Sequence, residues 1–196
     1  MNSNIDLFLQ IWSGVFNLLA KLLLAAAEKK TDSGKMRIAG WVLYLLGVPA
    51  WVIIFASKNN WVAAAVDTSS IPAMILGIAT AHKLKGKVPR VFDMLVRYFT
   101  ILMILAGAAY SLFYFKGITA GSQILEIFVT TGFLAGTYLL AKKNPIGWIF
   151  FALMCLSTGT LMLIQGRNIL AIQQGICFFI VVYGFITARY TLRQET

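Results

Sequence analysis

The strongest constraint on this chain is a succession of seven apolar runs, each about as long as a helix needs to cross a bilayer. They cover roughly 5–27, 37–57, 60–81, 92–115, 120–141, 146–164 and 168–188. About 20 apolar residues in helical form span a hydrocarbon core roughly 30 Å thick. Inside lipid every backbone N–H and C=O must be bonded within the protein, so continuous apolar runs of this length are helices. A membrane β-barrel would show alternation, and these runs do not alternate. The polar breaks EKKTDSGKMR, SKNN, HKLKGKVPR, FKGITAGS, AKKNP and QGRN are short, so successive spans form hairpins. Composition agrees: 59% of residues are hydrophobic, 12% are charged, and the mean hydropathy is +0.79. A soluble fold of this size cannot hide that much apolar surface. Residues 1–196 therefore read as a single all-α membrane domain. No basic n-region or small-residue cleavage site opens the chain, so the first span is expected to stay in the mature protein.

Basic residues set the expected orientation. Thirteen of the 17 Lys and Arg lie in or beside the first, third and fifth loops and the C-terminal tail. Only Lys58, Lys116 and Arg167 fall on the other side, and Lys21 lies within the first span. The basic face is the cytoplasmic one, which predicts an outer N-terminus and an inner C-terminus. The net charge of +10 then reflects membrane insertion, with anionic lipid headgroups as its partners and no nucleic acid. Cys155 and Cys177 lie inside apolar runs and read as buried free thiols.

Sliding the sequence on itself by 107 residues aligns Gly40-Trp41 with Gly147-Trp148, Leu46 with Leu153, and Ala64 with Ala171. The same shift aligns Gly77 with Gly184 and Thr80-Ala81 with Thr187-Ala188. Spans two and three thus match spans six and seven. Adding the preceding span to each yields two three-helix bundles, over 5–84 and 118–190, joined by a linker helix over 90–116. Three is odd, so a single linker is what makes the two copies parallel. Parallel repeats about an axis along the membrane normal are a transporter architecture, with the solute held near midplane between the halves.

This layout of three helices, one linker and three helices resembles the SWEET sugar transporters and the PnuC-type bacterial vitamin transporters. The stretch from Asn144-Pro145-Ile146-Gly147-Trp148 through Gln173-Gln174 to Ile186 is similar to the C-terminal hairpin of that group. The resemblance implies a multi-pass protein of the cell (inner) membrane, assembled as a homotrimer, that lets an unphosphorylated vitamin such as nicotinamide riboside or thiamine diffuse inward by alternating access. A cytoplasmic kinase would then trap it. No GxxxxGK[ST] loop is present, so nucleotide hydrolysis is not expected.

Polar residues at membrane depth are the candidate binding groups, because a charge inside a span costs roughly 2.5–3.5 kcal/mol on insertion scales. Asp67 in the third span and Glu126 in the fifth are such residues, and the 107-residue shift sets Asp67 on Gln174, next to Gln173. Ser70, beside Thr68 and Ser69, adds a hydroxyl where Pro72 should loosen the helix. Asn17, Tyr44, Thr130 and Thr131 are further candidates, and Trp51, mid-span after Pro49, can stack on a flat ring. Trp41, Trp61 and Trp148 stand at span ends and read as interfacial belt residues. Gly107, Ala108, Gly132 and Gly136 read as sites of close helix approach.

Enzymatic chemistry has little support. The one histidine, His82, lies at a helix end among lysines, no metal-ligand spacing occurs, and no cofactor is expected. The last span carries no lysine for a retinal Schiff base. A sugar carrier is the alternative within transport, and a non-transporting membrane sensor or assembly factor is the alternative from another class.

Overall fold

The computed structural model describes residues 3–29, 33–57, 61–82, 88–114, 117 and 121–195. Its helices are α1 (Ser3–Ala27), α2 (Gly34–Ala56), α3 (Trp61–Ser69), α4 (Ile71–Ala81), α5 (Arg90–Tyr114), α6 (Gly121–Ala141), α7 (Ile146–Ile164) and α8 (Asn168–Glu195). Among the described residues, seven stretches are long and apolar enough to cross a membrane, with α3 and α4 together making the third. Lys30, Lys58, Lys83, Lys85, Lys87 and Lys116, which bear on orientation, lie outside the described residues.

The third span breaks at Ser70 for a local reason. Thr68, Ser69 and Ser70 donate their hydroxyls to the carbonyls of Ala64, Ala65 and Asp67 at 2.8, 2.6 and 2.6 Å. Pro72, at the start of α4, has no N–H to continue the ladder. The last helix runs beyond the apolar stretch ending near 188. There Thr191 Oγ1 donates to the Glu28 carbonyl at 2.9 Å, which docks the polar extension on the end of α1.

Backbone proximity traces a closed ring. Helix α1 packs on α2, α2 on the α3–α4 span, that span on α6, α6 on α7, α7 on α8, and α8 back on α1. Helix α5 stands outside, mainly against α6, where Lys142 Nζ meets Asp93 Oδ2 at 2.7 Å. Its apolar side chains, such as Leu95, Leu102, Leu105 and Phe113, face outward.

Small residues set how closely the ring is drawn. A Cβ on Gly77 would overlap the Trp41 indole, and one on Gly184 would come within 2.9 Å of the Trp148 indole. Gly132 lies against the Phe150 carbonyl, where a Cβ would sit at 2.6 Å, and Gly136 lies against the Phe151 ring. The belt assignment of Trp41 and Trp148 is thereby corrected. They are 1% and 0% exposed, because each facing glycine opens a slot in which an indole packs against protein. Trp148 Nε1 also donates to Glu28 Oε1 at 3.2 Å, so the buried N–H has its partner. The Trp61 side chain lies outside the described ones.

Gly77→Ala and Gly184→Ala should each cost about 1–3 kcal/mol through overpacking. Gly175→Ala, where nothing lies within 4 Å, should stay within about 1 kcal/mol of the parent in either direction. Thermal unfolding of the detergent-solubilised protein measures this, and equal effects at all three positions would refute the packing argument.

Candidate solute-binding cavity

Inside the ring lies a cavity with about 960 Å³ of free space out to its mouth. The C-terminal halves of α2 and α7 contribute to its walls, with the beginnings of α6 and α8, all of α3's inner face, and Asn17 of α1. It therefore occupies the half of the bundle on the side of the α2–α3 and α7–α8 connections. Exposed Gln165 belongs to its rim.

Aromatic rings form its inner end. Tyr44, Phe133 and Phe151 meet pairwise with centroids 6.0, 6.1 and 6.4 Å apart. Trp41 extends the cluster from Tyr44 at 6.3 Å and Trp148 from Phe151 at 6.2 Å. Beyond this plug, Arg37 pairs with Glu28, which also accepts from Trp148. Burial pushes the Glu28 carboxyl up from its ordinary range, against the opposing pull of the Arg37 guanidinium.

The cavity wall holds polar atoms without partners. Asn17 Oδ1, Tyr44 OH, Asp67 Oδ2 and Gln174 Oε1 are all buried, all on lining residues, and none has a hydrogen-bond partner among the described residues. Such atoms are rare in folded proteins, and each costs about 1–3 kcal/mol when left unmade. Four converging on one space mark a place where a ligand or water supplies the missing bonds. Trp51 and Phe55 stack beside them, centroids 5.4 Å apart, as a flat apolar wall. The acidic lining residues are Asp67 and Glu126, and no lysine or arginine is among the described lining residues.

Of the residues singled out in the sequence, Asn17, Tyr44, Trp51, Asp67, Glu126, Thr130 and Gln174 line this space. Three do not. Gln173 is buried on the face of α8 toward α1, where its amide lies 3.4 Å from the position of a Cβ on Gly14. Thr131 is turned away and its neighbour Thr130 lines instead. Ser70 lies at the helix break with its hydroxyl committed to the Asp67 carbonyl. Thr158 and Gln165 also line the cavity without having been singled out, since nothing in an apolar run marks one threonine over another.

Lys21 is the other residue whose importance the sequence understated. It is 0% exposed, one turn beyond Asn17 toward the plug. Its ammonium lies 3.8 Å from Cys155 Sγ and 5.7 Å from the centroid of the Phe151 ring. Cys155 and Cys177 are both free and buried. A lysine in the middle of an apolar span was the available signal.

A family model described as Nicotinamide mononucleotide transporter matches residues 8–189. The chain belongs to that family. The match takes in every cavity-lining residue from Asn17 to Gln174. No curated protein and no solved structure matches the chain significantly. Family membership makes this a multi-pass membrane transporter of the PnuC type, acting on a small molecule, and gives the cavity its context.

Gln174→Leu removes an unpartnered buried amide oxygen. It should leave the solute-free protein as stable or up to about 2 kcal/mol more stable. The same change should abolish any stabilisation by bound solute. Melting curves with and without nicotinamide riboside check both halves; lost stability in the free protein would show that the amide has a structural duty.

Proposed function

We propose that the protein is a facilitator that moves an unphosphorylated, nicotinamide riboside-like solute inward across the cell (inner) membrane by alternating access, with phosphorylation inside trapping it. The observation that carries this reading is the chemistry of the cavity. Its charged side chains are two carboxylates, its flat wall is Trp51 and Phe55, and unpartnered oxygens of Asn17, Tyr44 and Gln174 point to hydroxyl or amide donors on the solute. An N-ribosylated pyridinium carries a cationic flat ring, ribose hydroxyls and a carboxamide, and so matches each feature. The phosphate of the mononucleotide in the family's description would meet Asp67 and Glu126, with no basic side chain among the described wall residues to neutralise it. A neutral sugar would leave both carboxylates without a counter-charge.

The alternating-access part rests on a duplicated triplet, α1–α4 and α6–α8, with α5 as linker. Two packing correspondences support it. Gly77 on Trp41 and Gly184 on Trp148 are related by the 107-residue shift. Gly40 lies against Leu24 and the Ala20 carbonyl, while Gly147 lies against Leu140 and the Gly136 carbonyl. Both first-helix partners are displaced by 116 residues (24 to 140 and 20 to 136). The helix contacts follow the same exchange: α8 packs on α1 much as the α3–α4 span packs on α6. With the N-terminus outside, the cavity faces outward and the plug is the inner gate. The site we assign comprises Asp67, Gln174, Trp51, Glu126, Asn17 and Tyr44, with Thr130 in place of Thr131.

Uptake into proteoliposomes decides the matter. Labelled nicotinamide riboside should enter well above protein-free vesicles, and above thiamine, glucose and nicotinamide mononucleotide. Asp67→Asn should reduce riboside uptake at least about tenfold by removing a buried charge partner. Mononucleotide entering as fast as riboside would overturn the substrate assignment, and no uptake of any solute would favour a sensor or assembly role.

A further inference from the structure

An outward-facing cavity whose charged groups are both acidic poses a problem that the transport reading leaves unsolved. Two carboxylates in a narrow, low-dielectric space concentrate cations of every kind, protons and sodium included. Each opening of the inner gate would then let bare ions follow the solute down the membrane potential. Resting on the transport reading, we propose that the Lys21 ammonium is the barrier that excludes protons and inorganic cations from this pathway, a specificity role distinct from solute binding.

Its position is the first ground. Lys21 lies beyond the lining residue Asn17, about one helical turn of roughly 5.4 Å, on the side of the plug. Its neighbours come from across the ring: Phe151 and Cys155 on α7, with Tyr44 of α2, Asp67 of α3 and Cys177 of α8 within the range of its field. A fully buried ammonium on α1 that meets α7 across the ring, just beyond the deep end of the cavity, stands on the line any ion must take.

The second ground is that no described carboxylate forms a direct ion pair with the charge. Among the described residues no carboxylate lies within 4 Å of the ammonium, and the ion pairs there are Arg37–Glu28 and Lys142–Asp93. A thiol at 3.8 Å is weak compensation. Methionine would fill the same space at no electrostatic cost, and replacing a buried charge by an isosteric apolar residue is often neutral or stabilising. What lysine adds over methionine is a fixed positive charge. Fixed charges that turn away ions of like sign are an established device in membrane pores. The solute survives passage because its ring charge is matched by Asp67 and the aromatic wall; a bare ion has no ring contacts to hold it.

The test uses the full chain reconstituted in liposomes with an entrapped pH-sensitive dye, a potassium diffusion potential, and a parallel assay with labelled sodium. Wild type and Lys21→Arg should be tight. Lys21→Met and Lys21→Gln should leak protons and sodium at least about tenfold faster, since a unit charge a few ångströms from the path strongly opposes a second cation in a protein-like dielectric. Lys21→His supplies an internal control within one folded molecule. Its leak should be low at acid pH and rise as the imidazole loses its charge through about pH 6.5. A structural role for Lys21 predicts no such switch. Tight Lys21→Met vesicles, or a Lys21→His leak independent of pH, would overturn the barrier while leaving transport intact. Wild-type vesicles that take up no solute would bring down the transport reading and the barrier with it.

Discussion

Two indoles packed on two glycines hold one end of this bundle shut, and the rest of the molecule is arranged around that closure. Trp41 on Gly77 and Trp148 on Gly184 bring the α2–α4 and α7–α8 pairs into contact at one level. Tyr44, Phe133 and Phe151 then fill the space between them. In lipid there is little hydrophobic gain in bringing helices together, because the tails are as apolar as the side chains. Close packing has to supply the attraction, and it can do so only where small residues let large ones in. Once one end is sealed in this way, the opposite half of the ring can remain apart and enclose a polar space.

That space is lined by polar groups that the protein itself leaves unmatched. Oxygens of Asn17, Tyr44, Asp67 and Gln174 are buried without partners among the described residues, and a buried ammonium stands behind them beside the Cys155 thiol and the Phe151 ring. A chain selected for stability alone would have no reason to keep this set at membrane depth. A transporter has one, because such oxygens can exchange water for donors on a solute. The Glu28–Arg37 pair, with Trp148 and Thr191 attached to Glu28, adds a polar clasp at the sealed end, joining α1 and α2 to α7 and α8.

Much of the cavity lining was legible in the sequence, for a simple reason. Asp67, Glu126, Asn17 and Gln174 are costly in hydrocarbon, so their presence inside apolar runs already implied a cavity. The failures were of angle. Gln173 and Gln174, like Thr130 and Thr131, are adjacent on a helix and project about 100° apart. Which of each pair faces inward depends on how the helix is rotated against its neighbours, and both members are compatible with the local pattern. Trp41 and Trp148 misled for a related reason: their position at span ends suits a membrane belt, and the glycine that receives each lies on another helix.

The sequence by itself determined the number of spans, their helical nature and the break near Ser70. Backbone groups in lipid must be satisfied within each segment, and Pro72 with the hydroxyls before it leaves no continuous ladder. Tertiary structure alone decided the closed ring, which end is sealed, which polar residues share the cavity, and that Lys21 stands behind it. Those properties come from side chains far apart in the chain meeting across a packed interface, and the fit of an indole to a distant glycine is not encoded in either residue's own neighbourhood.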